Sequence, residues 1–553
     1  MKKICISNIK IVCGSADLAL LVLPVCRLVG GGKTKCAKCG IDKTPSAKKC
    51  GACFLKQFLD YCTDFAANNK RVPGASLNFK LDYKWVALSV TTVGTFMAAL
   101  DASIVVIGLP TIINSLHASI IHGIWIITGY VLMTTILLVI IGRLADLYGR
   151  VHLYNLGFGI FTIGSLLCAL SQTGSQLVAF RFLQGAGAAL LFANSAAILT
   201  DAFPKEELGT GLGINIMASN LGAIAGYTLS GVMITYFGWR SIFLINVPIG
   251  IAGTLWGYMR LKERVIKPIN RKFDFAGTIL YCVGLSTILL AITIGNPGSA
   301  RNLLLLGAGL AMFVSVIFIE LRQKNPVLDL SLFKIKAFAA GNLSSFLNAL
   351  AFACGPFLRS LYLQLVLGYS VLKAGVLLIP MEIAVFVFSP IAGRFADKYG
   401  SRVLSSVGLF LNASALIWFS TLNGKSSYGY VLVSLLLFGL GRALFASPNV
   451  SSIMGSVPED KRGAANGIRM TLYQTANVLS VPFSLLLMTL IMPYNRLSQI
   501  VSSTQLNSAS ELPIFLSALN HACLILGIIT ILAIIPSLLR GPGVNTSANK
   551  KKI

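Results

Sequence analysis

Four ionisable residues stand inside long apolar runs: Asp101, Arg181, Glu382 and Arg442. Moving a charged side chain into the middle of hydrocarbon costs at least about 2.5 kcal/mol, so each needs a partner or a task. Asp101 lies nine residues before Pro110, and Arg181 near the start of a run that heads the opposite way. If these runs cross a bilayer, both residues sit in the same outer half, close enough in depth to pair. A carboxyl group alone in hydrocarbon keeps its proton, whereas one beside a guanidinium releases it. A carboxyl whose basic neighbour moves nearer and farther therefore exchanges a proton. The competing reading is a static buried ion pair that fixes helix packing. Glu382, in Ile379-Pro-Met-Glu382-Ile-Ala, either faces a central cavity or is a hydrogen-bonded buried acid. In the cavity it would attract cationic solutes and carry a second proton. Trp125-x2-Thr128-Gly-Tyr130 directs aromatic and hydroxyl groups toward the same cavity, with an interfacial role for Trp125 equally open. Arg359 and Arg469 fall near the ends of runs and read as snorkelling side chains.

A different chemistry occupies the amino terminus. Eight of the twelve cysteines fall within the first 62 residues. Cys36-x2-Cys39 and Cys50-x2-Cys53 are two thiolate hooks at a spacing that closes a tetrahedron around zinc. A reducing location disfavours two disulfides there, and the bland alternative is a tail with incidental cysteines. No Gly-x4-Gly-Lys-Ser/Thr loop is present, so nucleotide drive is not expected, and no catalytic residues are proposed.

The elements that must position Asp101 and Arg181 are membrane helices. Apolar residues make up 55% of the chain, charged residues only 12%, against roughly a quarter in soluble domains. Runs long enough to cross hydrocarbon recur at 85–110, 122–142, 151–171, 176–200, 208–236, 241–261, 275–295, 302–321, 338–366, 372–394, 403–422, 428–452, 466–492 and 514–539. The net charge of +27 invites a nucleic-acid reading, but the basic residues collect on one side of these runs. Arg143, Arg150, Lys205, Arg260 to Lys272, Arg322 to Lys336, Arg394, Lys398, Arg402, Lys461, Arg462 and the final lysines share that side. The positive-inside rule makes it cytoplasmic, with both termini there and the chain in the plasma membrane. The charge is thus an imprint of topology, and no nucleic-acid partner is expected.

The runs fall into two related halves. Gly142-Arg143-Leu-Ala-Asp146-Leu-Tyr-Gly149-Arg150 returns as Gly393-Arg394-Phe-Ala-Asp397-Lys-Tyr-Gly400-Ser-Arg402, and Gly185-x-Gly187 returns as Gly439-x-Gly441. The expected order is a cysteine-rich extension (1–79), a six-helix bundle (80–265), an inserted helix pair (266–335), a second six-helix bundle (336–540) and a basic tail (541–553). Gly222, Gly226 and Gly231 line the fifth run, where absent side chains let helices approach and slide.

With these residues in hand, the chain resembles the major facilitator superfamily, and within it the fourteen-helix drug:proton antiporter branch. Gly142–Arg150 matches the superfamily's loop signature. Leu100-Asp101-Ala-Ser-Ile-Val-Val-Ile-Gly-Leu-Pro110 is similar to the branch's first-helix pattern, and Arg181-x2-Gln184-Gly185-x-Gly187 to its fourth-helix pattern. Trp239-Arg240 through Asn246-Val-Pro248 resembles its sixth-helix opening, and Asp274-x2-Gly277 the start of its inserted pair. The resemblance implies an all-α, inverted-repeat fold of two bundles plus two helices. It further implies alternating access, export of small amphipathic or cationic compounds against entering protons, and a monomeric transport unit in lipid. Asp101, Arg181 and Gln184 would then belong to the proton and substrate pathway. The repeated loops would form a conformational latch, with Asp146 capping the thirteenth helix and Asp397 the fifth. The fifth run departs from the family's Gly-Pro pair: Gly226 is followed by Tyr227, and Ser230 stands in place of a glycine. A uniporter or importer of one metabolite on the same fold, and a membrane-anchored zinc or thiol sensor, stay open as alternatives.

Overall fold

A computed structural model of the chain describes residues 82–204, 207–263, 275–293, 299–322, 330–458, 461–503 and 511–540. The cysteine-rich extension, including Cys36, Cys39, Cys50 and Cys53, lies outside the described residues, as does the basic tail. Among the described residues no group of His, Cys, Asp or Glu forms a metal site.

The chain is a sequence of helices: α1 (Tyr83–Ser115), α2 (Ile120–Tyr148), α3 (Arg150–Leu170), α4 (Gly174–Ala202), α5 (Leu208–Phe237), α6 (Ser241–Arg260), α7 (Phe275–Thr293), α8 (Ala300–Arg322), α9 (Lys336–Val366), α10 (Val371–Tyr399), α11 (Ser401–Phe419), α12 (Tyr428–Gly455), α13 (Arg462–Thr489) and α14 (Glu511–Leu539). Among the described residues, twelve helices are long and apolar enough to cross a membrane. The other two expected spans differ in kind. Helix α7 is shorter, and α13 is followed by the helix Tyr494–Ser503 after a bend of 117°. By length and apolarity the count is twelve or thirteen, against the expected fourteen.

Helices suit this composition because each satisfies its own backbone in a solvent that cannot. Buried hydroxyls are hidden the same way: Thr91 Oγ1 donates to the Ala87 carbonyl and Thr134 Oγ1 to that of Tyr130, each at 2.8 Å. The two repeated loops turn at glycines in the left-handed region, Gly149 at φ +93° and Gly400 at φ +84°. A side chain at either position would be strained.

The halves are built alike: α3 packs along α4 as α11 packs along α12, and α1 along α5 as α9 along α13. Gly222 and Gly226 bring α5 onto α1, where an added Cβ would stand 2.5 Å from the Phe96 carbonyl oxygen and 2.7 Å from that of Leu100. Gly231 abuts the Leu372 backbone of α10 instead, so this glycine joins the two bundles.

One buried apolar cluster runs through both bundles at the ends away from the repeated loops. It takes in Ile112 and Ile124 of the first bundle with Leu361, Leu378 and Leu485 of the second. Toward the loop ends the clusters separate. One holds Ala87, Val151 and Ile198 from the first bundle, another Leu332, Ile453 and Ala465 from the second. Gly209 and Gly213 of α5 and Gly467 of α13 have no described atom within 4 Å of an added Cβ. Among the described residues, the buried apolar packing shared by the two bundles is thus concentrated at the ends away from the repeated loops.

Candidate functional site

Asp101 and Arg181 meet inside the first bundle, and both are buried, at 0% and 1% exposure. Helix α1 carries the carboxylate past its middle, and α4 carries the guanidinium two turns from its start. Arg181 Nη1 donates to Asp101 Oδ2 at 2.5 Å, and its Nε donates to the Ile126 carbonyl of α2 at 2.9 Å. One helical turn on, Gln184 shares the face of Arg181. Its Oε1 accepts from Arg181 Nη1 at 2.6 Å, while its Nε2 donates to Asp101 Oδ1 at 2.8 Å and to Ser165 Oγ at 2.7 Å. Asn246 completes the ring from α6, its Nδ2 donating to Asp101 Oδ1 at 2.9 Å. Gly185 has no side chain to hold α2 away, so the Tyr130 ring slides beneath Arg181, 4.3 Å from the guanidinium carbon. Five helices thus contribute to one charge pair in which both carboxylate oxygens have donors.

Two of these participants, Asn246 and Ser165, were absent from the site read in the sequence. Asn246 looks like a helix-start residue, and it does stand at the break after Leu244, but its amide turns inward. Its Oδ1 is buried and has no hydrogen-bond partner.

Trp125 stands apart from this network. Its indole donates to Thr293 Oγ1 of α7 at 3.1 Å, and its ring lines a groove of about 500 Å³ with Phe182, Met133, Ser286 and Leu290. It ties the inserted pair to the first bundle.

In the second bundle, Gly439 closes α12 onto the Met381 backbone of α10, which sets Arg442 beside Glu382. The contact is one-armed, Arg442 Nη1 to Glu382 Oε1 at 3.5 Å. The carboxylate side chain is 2% exposed and the guanidinium side chain 33%. The expectation that Arg359 snorkels is corrected by its 1% exposure. Helix α9 is interrupted around Ala353–Cys354 and resumes at Gly355, and Arg359 turns into the bundle rather than along its rim. There Nη2 donates to Ser434 Oγ at 3.1 Å, and the guanidinium lies 4.0 Å from the Phe438 ring and 5.0 Å from that of Phe419. Arg469 is half-buried, and its Nη2 donates to Asn466 Oδ1 of its own helix at 2.9 Å.

At the first repeated loop, Arg150 Nη1 donates to both oxygens of Asp201 at the end of α4, at 2.9 and 2.8 Å. Glu263, just past α6, takes the place at the start of α3: its carboxylate accepts from the Arg150 and His152 backbone amides at 2.9 and 3.0 Å. Negative charge at a helix amino end is favourable, and this cap was not read from the sequence because Glu263 sits in a basic stretch. The side chains of Gly142, Arg143, Asp146 and Asp397 lie outside the described ones; Gly393 lies near Ser447 Oγ, Arg394 is exposed and Arg402 half-buried.

A polytopic helical core of two related bundles, one of them enclosing a buried acid–base pair, fits a membrane-embedded transporter. The sequence profile of the Major Facilitator Superfamily matches residues 91–481 and 341–551, and the chain belongs to that superfamily. It is 33% identical over 400 residues to the riboflavin transporter RibZ of Clostridioides difficile, covering 72% of this chain and 87% of that one. It is 32% identical over 398 residues to the multidrug resistance protein Stp of Mycobacterium tuberculosis, covering 69% and 72%. With the tetracenomycin C resistance and export protein of Streptomyces glaucescens it shares 30% over 398 residues, covering 71% and 74%. Among solved structures, a bacterial homologue of the lysosomal transporter Spinster, inward-facing and unoccupied, matches with a TM-score of 0.60 at 15% identity, covering 84% of this chain and 98% of that one. That likeness is one of fold.

Proposed function

We propose that the chain is a fourteen-helix exporter of small amphipathic compounds, driven by protons entering through Asp101. The observation that carries this is the enclosure of an acid–base pair by five helices, with the hydrogen-bond partners of the carboxylate, Arg181, Gln184 and Asn246, all drawn from the first bundle. A carboxylate held by a guanidinium is ionised; separate the two in hydrocarbon and the carboxyl takes a proton. A rearrangement within the first bundle that draws α4 from α1 would change the Arg181–Asp101 distance and so couple conformation to protonation. The side bearing the repeated loops is then the cytoplasm, and both termini are cytoplasmic in a plasma membrane. Relatives named for multidrug resistance and for drug export support export as the direction.

Asp101→Asn is expected to abolish proton-driven accumulation of substrate in everted vesicles while the protein still elutes as a folded particle. Transport that continued to follow the proton gradient in that variant would remove Asp101 from the mechanism. A second reading, passage of one metabolite without antiport, is favoured by Tyr227 after Gly226, where the antiporter pattern has proline. Substrate flux that leaves the vesicle pH unchanged selects it. Zinc on Cys36, Cys39, Cys50 and Cys53 is a separate proposal, tested by metal content of the full chain before and after Cys→Ser substitution.

A further inference from the structure

The charge that the second bundle presents to the space between the bundles is positive, although the sequence offers an acid there. Glu382 is withdrawn into the wall, and Arg442 is the member of the pair with a third of its side chain exposed. The groups around that guanidinium come from several helices: Phe352 of α9 at 5.1 Å, Glu382 of α10, and Tyr473 of α13 and Tyr227 of α5, both close enough to interact with its charge. Since α5 belongs to the other bundle, Arg442 lies near where the two bundles meet. Arg469 lies one turn before Tyr473 on α13, shares its face, and also interacts with it. Among the described residues no carboxylate is within 4.0 Å of Arg469.

A third cation lies behind. Phe352 stacks on Phe438 at 4.0 Å with planes 5° apart, Arg442 stands against Phe352, and Arg359 stands against the Phe438 side at 4.0 Å. Two guanidiniums thus bracket one aromatic pair. In a weakly polar interior, charges act over several ångströms with little screening. Of these three cations only Arg442 is paired with a described acid, Glu382. Organic cations would meet repulsion; a flat ring system bearing an anionic or carbonyl acceptor group would find guanidinium donors beside the half-buried Tyr473 ring.

We infer that Arg442 and Arg469, with Tyr473 and Phe352, form the solute site of the central cavity and select planar aromatic compounds carrying a negative or acceptor group. This rests on the transport reading above and adds the solute class, revising the expectation of cationic substrates. The test uses the purified full chain in detergent, titrated into fluorescein (a planar anion) and ethidium (a planar cation), with protein-free micelles as blank and fluorescence anisotropy as readout. Fluorescein is expected to bind at least tenfold more tightly than ethidium. Arg442→Gln should weaken fluorescein about tenfold without weakening ethidium, and Arg469→Gln severalfold. Since Arg442→Gln strands Glu382, the neutral pair Arg442→Gln/Glu382→Gln serves as the fold-safe version and should also lose fluorescein. Tighter binding of ethidium, or equal losses of both dyes in Arg469→Gln and the double variant, overturns the inference. Such a result leaves proton-driven export standing, because that reading is decided separately by Asp101→Asn in vesicles.

Discussion

Each bundle buries an arginine at 1% exposure, yet the two are stabilised by opposite means. Arg181 meets a carboxylate, an amide oxygen and a backbone carbonyl. Arg359 meets a serine hydroxyl and two rings, and its Nε has no partner. The difference traces to one residue of the repeated glycine motif. Before Gly185 stands Gln184, which ties acid to base; before Gly439 stands Phe438, which covers the cation. A guanidinium keeps its proton under all physiological conditions, whereas a carboxylate exchanges one. Duplicated architecture therefore holds one buried arginine against a proton-exchanging carboxylate and the other against aromatic rings. On the readings proposed above, proton coupling would rest on the Asp101 centre of the first bundle and solute selection on the second.

The largest effect expected on this contrast comes from Arg181→Gln. Removing one partner of a buried pair costs about 3–5 kcal/mol, here including the cost of forcing a proton onto the carboxyl left behind. Thermal unfolding in detergent should show a marked drop, and Asp101→Asn in the same chain should restore most of it. A single variant as stable as the parent would mean that Asp101 is already neutral. A smaller loss, about 1–3 kcal/mol, is expected for Asn246→Ala, which withdraws one donor from the Asp101 carboxylate. Its diagnostic readout is the proton dependence of transport, which should shift in pH while the maximal rate is retained. No shift would make Asn246 a packing residue only.

Much of the first bundle was legible because lipid imposes a simple rule on sequence. Apolar runs of fixed length gave the helices, and counting residues along α1 and α4 brought Asp101 and Arg181 to one depth. What was not counted was rotation: Asn246 opens the stripe Asn246-x3-Gly250-x2-Gly253-x3-Gly257 that α6 buries, a legible signal of its inward face, whereas Ser165 lies on a helix apolar nearly all round. Arg359 was misread for a related reason. Its distance from the end of α9 suggested an interfacial side chain, but the break near Gly355 directs it into the core. Glu263 was hidden by the basic residues beside it, although a carboxylate next to a helix start is a readable signal. The polarity of the Glu382–Arg442 pair was beyond the sequence, because which member is withdrawn depends on how closely Gly439 lets two helices approach.

The smallest effect should come from Arg359→Met, and it sharpens the contrast most. If the second bundle holds its cation without a carboxylate, an apolar side chain of similar length strands nothing and removes an unpartnered Nε. Stability is then expected to stay level or rise by about 1 kcal/mol, where Arg181→Gln falls sharply. Proton-driven transport should keep its pH profile, since no proton passes through this group. Fluorescein affinity should fall less than the tenfold expected for Arg442→Gln, because the Phe352–Phe438 stack stands between Arg359 and Arg442. A collapse of stability like that of Arg181→Gln would show that Arg359 answers a negative partner after all, and the two centres would then differ in arrangement rather than in kind.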